Sequence, residues 1–372
     1  MKKKSAIVVG AGIVGLATAR ALALRDYSVK VFEQLPKATG ASVRNFGMIW
    51  PIGQPKGKMY EAAMRSRAIW EETCAAASIW HDKVGSLHLA HAQDEWQVLE
   101  EFYEAEKGNR SIRLLKADQV SEFSGVANTD KLIGGLYSAD EMIVEARDAI
   151  GQVARYLEEQ HSVQFFWNKK ITAVSSNKAC SGKEKFSADE IFICSGQDFE
   201  SLYPDVFAAS GITRCKLQMM RLAAQPLRIG AALCGGLSLT HYASFAVAKS
   251  LQALKKRIEN TMPDYVKWGI HVMISQNAGG EITLGDTHEY GLAPDPFGRD
   301  EADQLILDYL KTFARLPSEQ VIQHWTGVYP KLMNGEWKLV ARPEEGVTVI
   351  NGVGGAGMTL SFGLAERVVQ KL

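Results

Sequence analysis

The sequence has no surplus of charge, no paired cysteines and no long apolar run. Its 42 Lys plus Arg balance 42 Asp plus Glu, giving a formal net charge of +0. Binding that rests on nucleic-acid phosphates or an anionic membrane needs a basic excess, so neither is expected as a partner. The five cysteines, Cys74, Cys180, Cys194, Cys215 and Cys234, are odd in number and scattered, with no C-x-x-C pair. That pattern argues against a disulfide framework or zinc cluster. No metal is expected, and the setting reads as reducing and cytoplasmic. No uncharged apolar run reaches the roughly 18 residues of a membrane span. The eleven prolines are dispersed, and no repeat or low-complexity segment is present. What is there is a chain of 372 residues, 46% apolar and 23% charged. At about 150 residues per domain it suffices for two or three domains with sizeable cores, and it is too apolar to be disordered.

The N-terminus, MKKKSAIVVGAGIVGLATARALA, imitates a secretory signal in having three lysines, an apolar stretch and then small residues. Three glycines in fixed register and Arg20 before any cleavage site favour a strand, a turn and a helix instead. Ser5 to Val9 is short and β-branched, like a buried parallel strand. Gly10-Ala11-Gly12-Ile13-Val14-Gly15 follows, Leu16 to Arg25 reads as a helix, and Val29 to Phe32 is a second strand ending on Glu33 and Gln34. This is G-x-G-x-x-G inside a β-α-β unit with an acid at the second strand's end, the context in which the motif signifies a dinucleotide. Gly10 permits the tight turn, Gly12 lets backbone approach a pyrophosphate, and Gly15 allows close helix–strand packing. The free N–H groups at the helix start hold the pyrophosphate. Glu33 suits ribose hydroxyls and disfavours the extra phosphate of NADP, leaving FAD or NAD.

Three further segments favour FAD. Thr39 to Gly47, containing Ala41, Ser42, Arg44, Asn45, Phe46 and Gly47, is a polar glycine-bearing loop where an NAD domain would proceed to another helix. Ala188 to Gly196 is an apolar strand ending in Cys194, Ser195 and Gly196, small enough to pass under the first glycine turn. Val347 to Thr359 is a strand followed by Gly352, Gly354, Gly355, Ala356, Gly357, Met358 and Thr359, then a helix from Leu360 to Leu372. A helix N-terminus there would stabilise the negative charge of a reduced flavin.

These residues resemble the D-amino-acid oxidase superfamily of FAD-dependent amine oxidoreductases, which includes glycine oxidase and sarcosine oxidase. Ala41 to Pro55, Gly285 to Tyr290 and Gly354 to Gly363 are similar to a narrower group associated with bacterial phosphonate-catabolism gene clusters. The resemblance implies an α/β fold, α+β overall. A Rossmann-type FAD-binding domain (1–85, 141–214 and 331–372) would interleave with a smaller mixed or antiparallel substrate domain (86–140 and 215–330). It implies that Ile171 runs past the adenine. It also implies noncovalent FAD, because relatives with covalent flavin use a cysteine near the C-terminal turn and the last cysteine here is Cys234.

Helices are expected over Gly57 to Ala77, Trp96 to Lys107, Glu145 to Gln160, Phe245 to Thr261 and Asp300 to Leu316. Strands are expected at Val163 to Phe166, Ile171 to Val174, Met219 to Ala224, His271 to Ser275 and Ile282 to Leu284. The methionines and tryptophans on these stripes read as core.

The implied chemistry is hydride transfer from the α-carbon of a neutral amine to flavin N5, with oxygen or another acceptor receiving the electrons. Positioning and electrostatics dominate such a step, and no acid–base triad is expected. His324 to Pro330 resembles a family segment W-x-G-L-R-P whose arginine binds the substrate carboxylate, but here Tyr329 stands in the arginine's place. A phenol cannot supply the charge of a bidentate guanidinium. An α-amino acid is therefore disfavoured and a small aminophosphonate favoured, its anion candidates being Arg44, Arg221, His241, His288, Tyr329, Lys331 and Arg342. An oxidase of glycine, sarcosine or a D-amino acid, and a non-catalytic flavoprotein, are the alternatives.

Overall fold

The computed structural model describes residues 3–372. Ser5–Val9 forms the centre of a six-stranded sheet, and all five of its residues are apolar or small, as a strand covered on both faces requires. It pairs in parallel with Ser28–Phe32 on one side and Glu190–Ile193 on the other. Gln164–Phe166 extends one edge, and Val347–Asn351 then Leu339–Glu344 extend the other, the last strand alone running antiparallel. Helices Ile13–Ala23, Lys58–Ala77, Ala146–His161 and Gly357–Val369 supply one core against this sheet. Its other face carries no comparable helix layer. An antiparallel three-stranded meander, Ala173–Ser175, Lys178–Ser181 and Glu184–Ser187, covers it with Phe199 and Phe207.

A second sheet has nine strands, more than the first. Its axis is an antiparallel pair, Ile212–Leu222 against Val321–Leu332, with eleven registered residue pairs. The hairpin Met273–Gln276 and Ile282–Gly285 continues from it to Ala232–Cys234, Ser86–Ala90, Gly134–Ser138 and Ile112–Lys116. Only the pair Ala232–Cys234 and Ser86–Ala90 is parallel, so the sheet is mixed. Helices Gln93–Glu106, Leu251–Thr261 and Asp300–Phe313 enclose the largest apolar cluster against it.

The helix expected from Phe245 and the strand expected from Ile171 both start later along the chain. The helix expected from Phe245 begins at Leu251, after a 3-10 turn over Ala243–Val247. Ala248 is extended between them, and the Ser250 N–H and hydroxyl donate to Glu101 Oε2, fixing the break. The W-x-G-V-Y-P segment is the middle of the twelve-residue strand Val321–Leu332. Ile171 is buried but precedes its strand. Among the described residues no helix is long and apolar enough to cross a membrane.

Candidate functional site

The two sheets face a cavity of about 1160 Å³. The glycine turn after Ser5–Val9 forms one end. Gly10 has φ +104°, and a Cβ there would overlap the Cys194 carbonyl oxygen; one on Gly15 would overlap the Gly10 carbonyl oxygen. These two glycines serve the protein's own packing. Gly12 differs, because a Cβ would meet only Ser42 Oγ, at 3.1 Å, and otherwise open cavity. Ser42 Oγ accepts from the Ile13 N–H at 2.9 Å, holding the polar loop against the helix start. Glu33 Oε2 accepts from the Ala11 N–H at 3.0 Å and Oε1 from the Leu35 N–H at 3.1 Å, so the carboxylate is locked at the strand end.

The loop is built by its asparagine. Asn45 Nδ2 donates to the Ala41 and Ser42 carbonyls, and Asn45 Oδ1 accepts from the Gly47 N–H. From the other chain end, helix Gly357–Val369 starts without a side-chain cap, leaving its first N–H groups for a ligand. Thr359 Oγ1 accepts from the Trp50 N–H, and Trp70 Nε1–H donates to the Met358 carbonyl, so this turn is fixed from behind. Asn351 Nδ2 donates to the Gly196 carbonyl, tying the two strand ends together. A glycine cradle at each chain end, open helix starts and the cavity's size fit a dinucleotide.

Most of the residues singled out from sequence line this cavity: Gly10, Gly12, Ile13, Val14, Glu33, Gln34, Ala41, Ser42, Arg44, Asn45, Phe46, Ile171, Ser195, Gly196 and Gly354 through Thr359. Gly15, Gly47 and Leu360 do not; each packs behind it. Of the anion candidates, Arg44, His241, His288, Tyr329 and Lys331 line it. Arg221 and Arg342 lie elsewhere. Arg221 Nη1 is bonded to Glu145 at 3.0 Å and Glu281 at 3.1 Å, outside the cavity. Arg342 is exposed on the edge strand Leu339–Glu344.

Tyr329 is 7% exposed, and its hydroxyl lies 3.3 Å from where a Cβ on Gly355 would stand. Burial drives its pKa up, so it is a neutral phenol. Beyond it the structure adds two residues not anticipated from sequence, His271 and Asp286. The hairpin Met273–Gln276 and Ile282–Gly285, prolonged past its open end, brings them together by backbone hydrogen bonds in both directions. His241, His271 and His288 offer nitrogens within 4.8 Å of one another. Burial depresses His271 and His288, the latter to about 4, and raises Asp286 well above an ordinary carboxyl, while His241 is the exposed member of the three.

This is a group of possible metal ligands in a chain whose sequence suggested no metal. Tetrahedral zinc at about 2.0–2.1 Å from each nitrogen wants them about 3.4 Å apart with converging lone pairs. His241 and His271 are stacked instead, ring centres 3.8 Å apart and 27° from parallel. Stacked rings aim their nitrogens side by side, so the group suits hydrogen bonding to one larger ligand.

Three comparisons bear on this geometry. The profile of the family described as FAD dependent oxidoreductase (DAO) matches residues 5–371. The chain is 30% identical over 141 residues to the tRNA 5-methylaminomethyl-2-thiouridine biosynthesis bifunctional protein MnmC of Chromobacterium violaceum, spanning 37% of this chain and 21% of that one. Glycine oxidase from Geobacillus kaustophilus superposes with a TM-score of 0.77 at 19% identity, covering 99% of this chain and 93% of its own. Dithionite-reduced L-alpha-glycerophosphate oxidase from Mycoplasma pneumoniae, with FAD bound, gives 0.76 at 16% identity, covering 100% and 96%.

Proposed function

The chain belongs to the DAO family of FAD-dependent oxidoreductases, and from that premise we propose that it oxidises a small amine bearing a phosphonate, 2-aminoethylphosphonate or a hydroxylated or N-methylated relative. FAD supplies the acceptor for a hydride from the amine-bearing carbon. The imine hydrolyses to an aldehyde, and oxygen or another acceptor takes the electrons onward. This chain's residues bind and orient. Gly12, Ser42 and the start of helix Ile13–Ala23 take the pyrophosphate, Glu33 the ribose, and the turn from Gly354 to Thr359 the flavin ring. Cys194, the cysteine lining the cavity, lies at the Ser5–Val9 end with Sγ beside Thr18, which supports noncovalent FAD. On the same reading the six-stranded sheet is the core of the FAD-binding domain and the nine-stranded sheet that of the substrate domain. The long strands Ile212–Leu222 and Val321–Leu332 cross the boundaries expected at 214/215 and 330/331.

The observation that carries the substrate assignment is Tyr329, a neutral phenol beside Gly355 where the resembled family places a carboxylate-binding arginine. Lys331, two residues along the strand and on the same face, supplies charge without the fork geometry. Anaerobic mixing of the flavin-loaded protein with amines tests it. Aminophosphonates should bleach the flavin, and glycine, sarcosine and D-alanine should do so about a hundredfold less efficiently, roughly 2.7 kcal/mol at 1.36 kcal/mol per tenfold. Efficient glycine turnover would establish an amino-acid oxidase, the second reading, which the likeness to glycine oxidase favours. No bleaching by any amine would leave a non-catalytic flavoprotein, and colourless protein would end the reading altogether.

A further inference from the structure

The wall of the cavity built by the nine-stranded sheet carries three imidazoles and a carboxyl that the glycine cradles do not use. Their hydrogen bonds fix where protons already sit. His288 Nδ1 is 3.0 Å from the Gly269 carbonyl oxygen. A carbonyl only accepts, so Nδ1 carries a hydrogen, and a neutral His288 leaves Nε2 with a bare lone pair. His271 Nδ1 has Ser238 Oγ at 3.4 Å, while its Nε2 lies 3.2 Å from Asp286 Oδ1 without hydrogen-bond geometry. Asp286 is only 4% exposed, lines the cavity, and its Oδ1 takes part in no hydrogen bond. A buried carboxyl oxygen without a hydrogen-bond partner is rare in a native structure and marks a place where a ligand completes the set. His241, stacked on His271, is open to the cavity.

The sign of the ligand follows from Lys331. It lines the same cavity, lies close enough to depress both His241 and His288, and has no ion-pair partner among the described residues. An ammonium ion would be repelled there, and a doubly charged anion would be attracted. On the far side of His241 and His271, Lys255 and Glu259 line a separate, smaller cavity and bring one charge of each sign. Burial raises Tyr242 and Tyr329, keeping both phenols neutral, and raises Asp286 above an ordinary carboxyl. The three rings lie too close for more than one to be cationic at low cost, and His288 is the better proton acceptor because its Nδ1–H already donates to the Gly269 carbonyl, which favours the imidazolium.

We propose that His288, His241 and Lys331 form the subsite for a tetrahedral, doubly ionised oxyanion, the phosphonate head of the substrate, and that one proton enters with it onto His288. The head-group identity rests on the aminophosphonate reading above. The proton comes from solvent. His288 then donates from Nδ1 to Gly269 and from Nε2 to the anion. Without that proton, Nε2 would face a phosphonate oxygen with lone pair against lone pair.

Methylphosphonate, which has no amine to oxidise, is the probe. It is titrated into the FAD-loaded protein by calorimetry, in two buffers of different ionisation enthalpy at pH 7. The visible flavin spectrum and competition with substrate are followed alongside. Saturable binding with uptake of about one proton is expected. His288→Asn keeps a donor for Gly269 in the position of Nδ1 and lacks the Nε2 end. It should bind at least about tenfold more weakly with no proton uptake, at unchanged FAD content. Lys331→Met should also weaken binding about tenfold or more while keeping proton uptake. Absence of saturable binding, uptake unchanged in His288→Asn, competition by methylamine in place of methylphosphonate, or stoichiometric zinc held by the histidines would each overturn the proposal. Its failure is separable from failure of the proposed function. Aminophosphonate turnover unaffected by His288→Asn and His241→Gln would sink this subsite alone. Methylphosphonate binding with proton uptake, but no bleaching by aminophosphonates, would sink the substrate assignment alone.

Discussion

Gly10, Gly12 and Gly15 occupy one motif for unlike reasons, and the difference is measurable. Alanine at Gly10 or Gly15 collides with the protein's own backbone. Gly10→Ala and Gly15→Ala should therefore lose folded protein, seen as low soluble yield or a melting temperature lowered by several degrees. Gly12→Ala meets only Ser42 Oγ at 3.1 Å, so the chain should fold while flavin content falls about tenfold or more, because the methyl occupies the space a pyrophosphate needs. The opposite ranking would mean that the turn is structural only. At Tyr329 the expectation concerns specificity. Tyr329→Arg supplies a guanidinium next to Gly355, and acetate should then inhibit at least about tenfold better than in the parent, measured by competition. The glycine roles were legible in sequence because they depend on residues adjacent in the chain. The histidine–aspartate group was half legible, since His241 and His288 were singled out as ligand candidates, whereas His271 was read only as a strand residue and Asp286 only as part of the segment Gly285 to Tyr290. Their approach depends on how far the hairpin Met273–Gln276 and Ile282–Gly285 is prolonged past its open end, which no local pattern records.

At the scale of elements, Glu141 joins three segments flanking the cavity. Its Oε1 accepts from the Ile52 N–H at 2.8 Å, in the turn Pro51–Gly53, and its Oε2 from Ser86 Oγ at 3.0 Å, on strand Ser86–Ala90. Glu141 itself leads into strand Met142–Val144. Complete burial lifts its pKa to about 7. The folded form thus binds this proton more tightly than the unfolded chain does. The stabilisation is full below about pH 4.5 and is lost as pH rises through about 7, by up to roughly 3 kcal/mol. Glu141→Gln keeps an acceptor for Ile52 and cannot ionise, so its stability relative to the parent should rise between pH 5 and pH 8, read from denaturant midpoints. His88, held neutral by burial at about 3, works in the opposite sense below about 6.5. It is common to both proteins and cancels in the difference. A pH-independent difference would show that Glu141 is ionised in the fold throughout. The helices and strands of this framework were largely readable from periodicity. Val321–Leu332 was not, because it mixes exposed, half-buried and buried positions along its length and is held by pairing with Ile212–Leu222.

At the scale of the molecule, the cavity works only if the glycine cradle of one sheet and the histidine wall of the other keep their spacing, and Arg221 is placed to enforce it. It rises from Ile212–Leu222 of the nine-stranded sheet and bonds Glu145, the N-cap of helix Ala146–His161 beneath the six-stranded sheet. Asn277 Nδ2 donates to Glu145 and to Glu281, closing the network from the hairpin turn. From sequence an arginine here was a reasonable anion ligand, since charge can be read but burial with two carboxylates cannot. Arg221 is 3% exposed, so removing it strands Glu145 without its cation, a loss of about 3 kcal/mol. Arg221→Met should lower the melting temperature by several degrees and leave methylphosphonate affinity within about twofold, because the side chain never reaches the cavity. A tenfold loss of methylphosphonate affinity at unchanged stability would return Arg221 to the substrate. If both fall together, and calorimetry shows the two sheets melting in separate steps, the network is what transmits rigidity between the halves. Substrate orientation at the flavin then depends on an ion pair outside the cavity it serves.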